Sequence, residues 1–267
     1  MKKECLTIIG TAHVSKESIE EVKDVIYTKQ PEVVAIELDY HRFIRLMDEK
    51  NGIKKEEKNM GIGEIVRENK VGVYVTGGIL SFIQNRIGAE LDVKPGSEMI
   101  AAIEAGEENC AEIALIDRDI NITLQRAINK MGILEKLKFV FSIIFSMFSR
   151  GNELDNIEDL KKQETLEEIM EYLKKSSPSI YEVLVHERDA YLAKSILGIE
   201  KDHVVAVVGA GHKKGISYYL DNPEEIPSLK ELTDIEKKGF PWMKLILIVI
   251  TILIILIILK SFNLINI

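Results

Sequence analysis

The chain has only two cysteines in 267 residues, Cys5 and Cys110, and no recognisable spacing motif joins them. This excludes a disulfide framework and a cysteine-based zinc site. It points to a reducing compartment, with both thiols expected to behave as small buried apolar groups. Positive charge is also in deficit: 35 Lys and Arg stand against 43 Asp and Glu, a formal net charge of -8. Phosphate backbones are held by clustered cations, whereas here the cations are dispersed among glutamates, so no nucleic-acid partner is expected. Low-complexity tracts are absent. A cleavable signal is not evident either: Met1-Lys2-Lys3 precedes apolar residues, but Glu4 and Gly10-Thr11-Ala12-His13 break the run, which serves better as a first strand.

What the chain does contain is one short repeat. Gly-x-x-His occurs twice after a β-branched run, in Ile8-Ile9-Gly10-Thr11-Ala12-His13 and in Val207-Val208-Gly209-Ala210-Gly211-His212. A Val/Ile run ending in Gly reads as a buried strand entering a tight turn, with the His just past the strand's carboxyl end. A third run, Glu32 to Asp39, ends in Glu37 and Asp39. If these strands are parallel neighbours, their carboxyl ends share the edge where open α/β sheets hold ligands. Two imidazoles and a carboxylate there, His13, Glu37 and His212, form a ligand set that leaves positions open on a divalent ion of the zinc, manganese or cobalt type. The competing reading of each His alone is a loop hydrogen bond.

Further along, strands and helices alternate. Strands are expected at 6–10, 33–38, 112–116 and 204–208, with helices at about 15–28, 40–49, 98–109 and 179–197. The fold class is therefore α/β, a mainly parallel sheet flanked by helices. The α/β domain is expected over 1–222 with a helical insertion at about 132–177, then a linker over 223–239. Residues 139–148 are strongly apolar but too short to span a bilayer; they read as a buried helix contact, with a membrane-surface or homo-oligomer contact as the alternative. Every residue from Leu245 to Leu259 is Leu, Ile, Val or Thr. With the flanking Phe240, Trp242 and Phe262 this predicts a transmembrane helix at 240–262 and a tail at 263–267. Lys230, Lys237, Lys238 and Lys244 precede the run and only Lys260 follows it, which predicts a single-pass membrane protein with its large domain in the cytoplasm.

Three charged groups accompany the strand ends. Asp117-Arg118-Asp119 follows the third strand, where Arg118 is a candidate to stabilise an oxyanion or hold a substrate carboxylate, or else to pair with its neighbours. In His186-Glu187-Arg188-Asp189 the 100° step of a helix prevents all four from facing one place; Glu187 and Arg188 are expected inward and His186 outward. Glu98 opens a helix after Pro95-Gly96, either as an N-terminal charge or as a supporting group around the site. His41 and His203 have no strand-end partner and read as structural.

Taken in order, Gly10-Thr11-Ala12-His13-Val14-Ser15, Glu37-Leu38-Asp39 with Arg42, Pro95-Gly96-Ser97-Glu98, Leu115 to Ile120, Glu187-Arg188-Asp189 and Val208-Gly209-Ala210-Gly211-His212 resemble the TraB/PrgY family of pheromone-shutdown proteins. The resemblance covers residues 6 to about 220. It implies kinship with Tiki proteases and erythromycin-esterase-like proteins, and a metal-dependent hydrolase site. His13, Glu37 and His212 would be its core, Arg118, Glu187 and Arg188 its catalytic support, and Arg42, Asp117 and Glu98 the surrounding groups. The expected function is a membrane-anchored hydrolase of a peptide or small-molecule substrate, with Glu187 as proton shuttle where Glu37 is a ligand, or with the two roles exchanged. The alternatives are a non-enzymatic membrane protein that sequesters a peptide signal, and a membrane-tethering protein.

Overall fold

The computed structural model describes residues 5–11, 16–53, 96–132, 134–136, 138, 171, 174–175 and 177–235. Four strands, β1 (Cys5–Thr11), β2 (Val33–Ile36), β3 (Glu112–Leu115) and β4 (His203–Gly209), form one parallel sheet in the order β1-β4-β2-β3. The last strand in sequence thus lies between the first two. Its register sets Thr11 beside Gly209 and Ile36 beside Val207, so the strands end together at one carboxyl edge.

The helices in chain order are α1 (Lys16–Lys29), α2 (Tyr40–Lys50), α3 (Ser97–Glu108), α4 (Ile120–Lys130), α5 (Pro178–Tyr181), α6 (Glu187–Gly198), α7 (Ala210–Asp221) and α8 (Leu229–Thr233). The two central strands, β2 and β4, are buried on both faces, as a parallel sheet covered by helices requires. Val33, Ala35, Val204, Ala206 and Val208 pack toward Ala190, Leu192 and Ile196 of α6, Ile216 of α7 and Leu232 of α8. The alternate residues Val34, Ile36, Val205 and Val207 pack toward Val22 and Ile26 of α1 and Met99, Ala102 and Ile103 of α3. The period of two in the strands therefore builds two separate cores. On the second, α3 lies so close that a methyl on Gly106 would stand 2.8 Å from Ile113 Cδ1 and 3.1 Å from Val34 Cγ2.

The single helix expected at 179–197 is interrupted. Glu182–His186 is a π-helical turn, and the Glu187 amide donates to the Glu182 carbonyl, five residues back. Residues 223–235, expected within a linker, instead form a 3₁₀ turn at Pro223–Glu225 and α8, whose Leu232 is buried in the core. Both cysteines are exposed, contrary to expectation: Cys5 opens the edge strand β1, and Cys110 follows α3 at a positive φ of 58°.

The chain divides into two units, Met1–Ile128 with Ile180–Ile235, and Asn129–Ser179 with Glu236–Ile267. The sheet belongs to the first. Within the second, Glu135 accepts hydrogen bonds from the Gly132 amide (3.2 Å), the Ser177 hydroxyl (2.8 Å) and the Ser179 amide (3.3 Å), joining the two ends of the expected insertion.

The membrane assignment requires correction. No helix among the described residues is long and apolar enough to cross a membrane. The longest, α1, has 14 residues; at ~1.5 Å each it covers only about two thirds of a ~30 Å hydrocarbon core. The single-pass placement, and the cytoplasmic orientation drawn from it, are therefore not supported. Residues 240–262, the basis of that expectation, and the apolar segment 139–148 lie outside the described residues.

Candidate functional site

At the carboxyl edge the strand ends deliver Glu37 and His212 to one place. Glu37 directly follows β2, and its Oε2 accepts from the Gly209 amide at 2.6 Å. Gly209 is the N-cap of α7, so His212 stands in the first turn of that helix. Glu37 Oε1 and His212 Nε2 are 3.7 Å apart. A carboxylate at a helix N-terminus is favoured by the helix dipole, whereas an imidazolium there is not.

Arg188, in the first turn of α6, joins them. Its Nη2 donates to Glu37 Oε1 at 2.6 Å and to Asp117 Oδ2 at 2.7 Å, and its Nη1 lies 3.1 Å from His212 Nε2. Burial opposes the charge on Arg188, but the carboxylates of Asp117 and Glu37 outweigh it and hold its pKa above the ordinary arginine value. Arg42 adds a second guanidinium, donating to Asp117 Oδ2 at 3.1 Å. It is positioned by Asp39, whose Oδ1 caps α2 through the amides of His41 and Arg42.

On the far side of the imidazole, His212 Nδ1 meets Asp189 Oδ1 at 2.7 Å. A guanidinium can only donate, so Nε2 accepts from Arg188 and the ring proton resides on Nδ1, donated to Asp189. In that tautomer Nε2 turns its lone pair toward Arg188 and Glu37. Burial raises the pKa of Asp189, against the lowering effect of its hydrogen bond from His212. In this network the carboxylates of Glu37, Asp117 and Asp189 face the guanidiniums of Arg188 and Arg42 and the His212 ring.

Arg118 and Glu187 make a different cluster. Arg118 is 1% exposed; its Nε donates to Thr123 Oγ1 (3.0 Å), Nη1 to Glu187 Oε2 (3.0 Å) and the Leu232 carbonyl (2.6 Å), and Nη2 to the Val183 carbonyl (3.3 Å). Glu187 also accepts from Arg126 at 2.7 and 2.9 Å, and Arg126 reaches the Asp234 carbonyl. Adjacent residues on β3's exit and on α6 therefore pair crosswise, Asp117 with Arg188 and Arg118 with Glu187. Three consecutive residues of α6 find partners because the helix is enclosed on three sides, by α4 with α8, by the sheet edge and by α7. His186 is exposed, as the helical step predicts.

Of the residues singled out from sequence, Glu37, His212, Arg188, Asp117 and Arg42 meet in one network. Arg118 and Glu187 meet in the other, while Glu98 is buried in the first turn of α3. His13 lies outside the described residues. Asp189 and Arg126 received no role from sequence. The signal for Asp189 was its place in the run Glu187-Arg188-Asp189, where it stood without a role.

Among the described residues no group of three or more His, Cys, Asp or Glu side chains is placed to hold a metal ion. Glu37 and His212 offer two donors, but Arg188 is hydrogen-bonded to both, and its charge opposes a second cation. By themselves the described residues do not fit the expected divalent ion.

The chain is similar in sequence to known proteins. The chain is 41% identical over 251 residues to an uncharacterized protein of Methanocaldococcus jannaschii, covering 91% of this chain and 61% of that protein. It is 28% identical over 230 residues to a TraB domain-containing protein of Bos taurus and 27% identical to one of Homo sapiens, covering 78% of this chain in each case. The chain spans about three fifths of the length of these curated relatives. Residues 2–225 match the TraB/PrgY/gumN family, and the chain belongs to that family.

Proposed function

We propose that the domain is a hydrolase of peptides or similar carbonyl substrates, with His212 as general base and Arg188 as the group that meets the developing oxyanion. One observation carries this reading: His212 stands between Asp189 at Nδ1 and Arg188 with Glu37 at Nε2, at the sheet's carboxyl edge. A base buttressed by a buried carboxylate is the arrangement that orients an imidazole for proton abstraction.

Water bound beside Nε2 gives its proton to His212 as it attacks the substrate carbonyl. Arg188 Nη1 transfers its hydrogen bond from Nε2 to the new oxyanion. Collapse of the tetrahedral intermediate breaks the scissile bond, and His212 returns the proton to the leaving amine. Glu37 and Asp117 hold the guanidinium in place, and Arg42 holds Asp117. Glu187, bound by two arginines on both oxygens, is not the shuttle in this reading; it and Arg118 brace the first turn of α6 from behind.

A second reading keeps a divalent ion, held by His13, Glu37 and His212. It is favoured by the hydrogen bond to Asp189, which fixes Nε2 as the lone-pair nitrogen in the manner common behind metal-bound imidazoles. Kinship with the Tiki proteases belongs to this proposal as well.

A peptide-library cleavage assay, run with chelator and with added manganese, zinc or cobalt, tests both. Wild-type protein is expected to cleave and His212→Ala to lose about 10²–10⁴-fold in rate. Cleavage unaffected by chelator selects the first reading, and cleavage restored only by metal selects the second. Absence of cleavage under every condition, or full activity in His212→Ala, refutes the hydrolase.

A further inference from the structure

Asp189 can reach His212 only because nothing stands between α6 and α7 at Gly215. A β-carbon at Gly215 would lie 1.9 Å from Asp189 Oδ2, 2.5 Å from its Cγ and 3.0 Å from its Cβ. Real side chains do not approach this closely, and the obstructing atoms belong to a short carboxylate already committed to a buried hydrogen bond. The two oxygens of Asp189 divide the work: Oδ1 accepts from His212 Nδ1 at 2.7 Å, and Oδ2 rests over the Gly215 backbone. His212 and Gly215 are three residues apart on α7, hence on one face, and that face is turned to Asp189. Helix propensity alone would favour Ala at a mid-helix position such as Gly215.

We propose that Gly215 is a positioning residue for the site: it provides the gap into which the Asp189 carboxylate fits, and so sets the tautomer and orientation of His212. This rests on the hydrolase reading for its catalytic consequence, but not for its structural one. Any side chain at 215 turns the Asp189 carboxylate away from Nδ1. The ring then loses its reason to carry the proton there, and Nε2 ceases to be the fixed lone-pair nitrogen.

The test is long-range ¹H–¹⁵N NMR of the full chain with ¹⁵N-labelled histidine, which reads the tautomer without substrate, alongside turnover. Wild-type His212 should be the Nδ1–H form. Gly215→Ala should give mixed tautomers and lower turnover by at least about tenfold. Asp189→Gly should show the same signature, and the exchanged pair Gly215→Ala with Asp189→Gly should add no further loss, because the second change acts through a contact already gone. Should Gly215→Ala fail to fold, the exchanged pair still decides, since it removes all three close contacts: it should fold and match Asp189→Gly. An unaltered Nδ1–H tautomer in Gly215→Ala, or an exchanged pair that does not fold, overturns the proposal. An altered tautomer in a protein that cleaves nothing leaves this inference standing and removes the hydrolase reading instead.

Discussion

Replacing Arg118 with Met separates a brace from a catalytic group. The guanidinium is buried, and four of its hydrogen bonds end on Thr123, Glu187 and the carbonyls of Leu232 and Val183. Glu187 keeps both bonds from Arg126 in the variant, and the Thr123 hydroxyl keeps its bond to the Asp119 carbonyl. What is left exposed to the loss is the pair of buried carbonyls, at about 1–3 kcal/mol each. Part of this is offset, because burial already lowers the pKa of Arg118 and so works against its charge. The net destabilisation should be about 3 kcal/mol, below the upper range for breaking a buried ion pair outright. With a urea slope of about 2 kcal/mol/M the unfolding midpoint falls by about 1.5 M, measured by far-ultraviolet circular dichroism. Arg118→Lys, which keeps the charge and loses the planar fork, should fall between the two. A midpoint within about 0.3 M of wild type, with turnover abolished, would refute the brace and return Arg118 to the catalytic set.

Two further substitutions test the packing and the buried charge. The Asp189 pKa is raised in the folded state, so this group stabilises the fold most below its unfolded value and progressively less as pH rises through the raised one. Asp189→Asn, which does not titrate, should therefore gain stability relative to wild type over that rise; parallel stability–pH curves would contradict the buried-charge argument. Gly106→Ala should lower stability by about 1–3 kcal/mol in thermal or urea unfolding, because its methyl meets Ile113 and Val34 in the tightest part of the α3 contact. A neutral or stabilising result would mean that α3 can lift from the sheet without loss.

Much of the frame was legible from residues alone. Four β-branched runs separated by helical periods announce a parallel α/β sheet, since only strands covered on both faces can be apolar at every position. The glycine that ends β4 and the carboxylate that follows β2 announce which residues stand at the carboxyl edge, and Glu37 and His212 do meet there. Helical steps also place Glu187 and Arg188 inward and His186 outward. Strand order was not legible, because β4 inserts between β1 and β2 through contacts that no local pattern encodes. Nor was the π turn before α6. No helix among the described residues is long and apolar enough to cross a membrane, and the stretch 240–262, where hydropathy predicts a span, lies outside them.

The sequence by itself determined the four strands and the main helices between them, the parallel class, and that Glu37 and His212 arrive at the edge, because propensity and periodicity act over a few residues. Only the tertiary structure decided how those charges pair. Asp117 and Arg118 are neighbours, as are Glu187 and Arg188, and sequence treats either pairing as equally available. The placement of α6 between α4, α7 and the sheet selects the crosswise arrangement, sending Arg188 to Glu37 and His212 and Arg118 into the core. A hydrogen bond is formed or lost within less than an ångström, so the choice belongs to helix positions set by the whole core. The same reasoning accounts for Asp189, which stands beside Arg188 in sequence and became the partner of His212 only when α6 met α7 at a glycine.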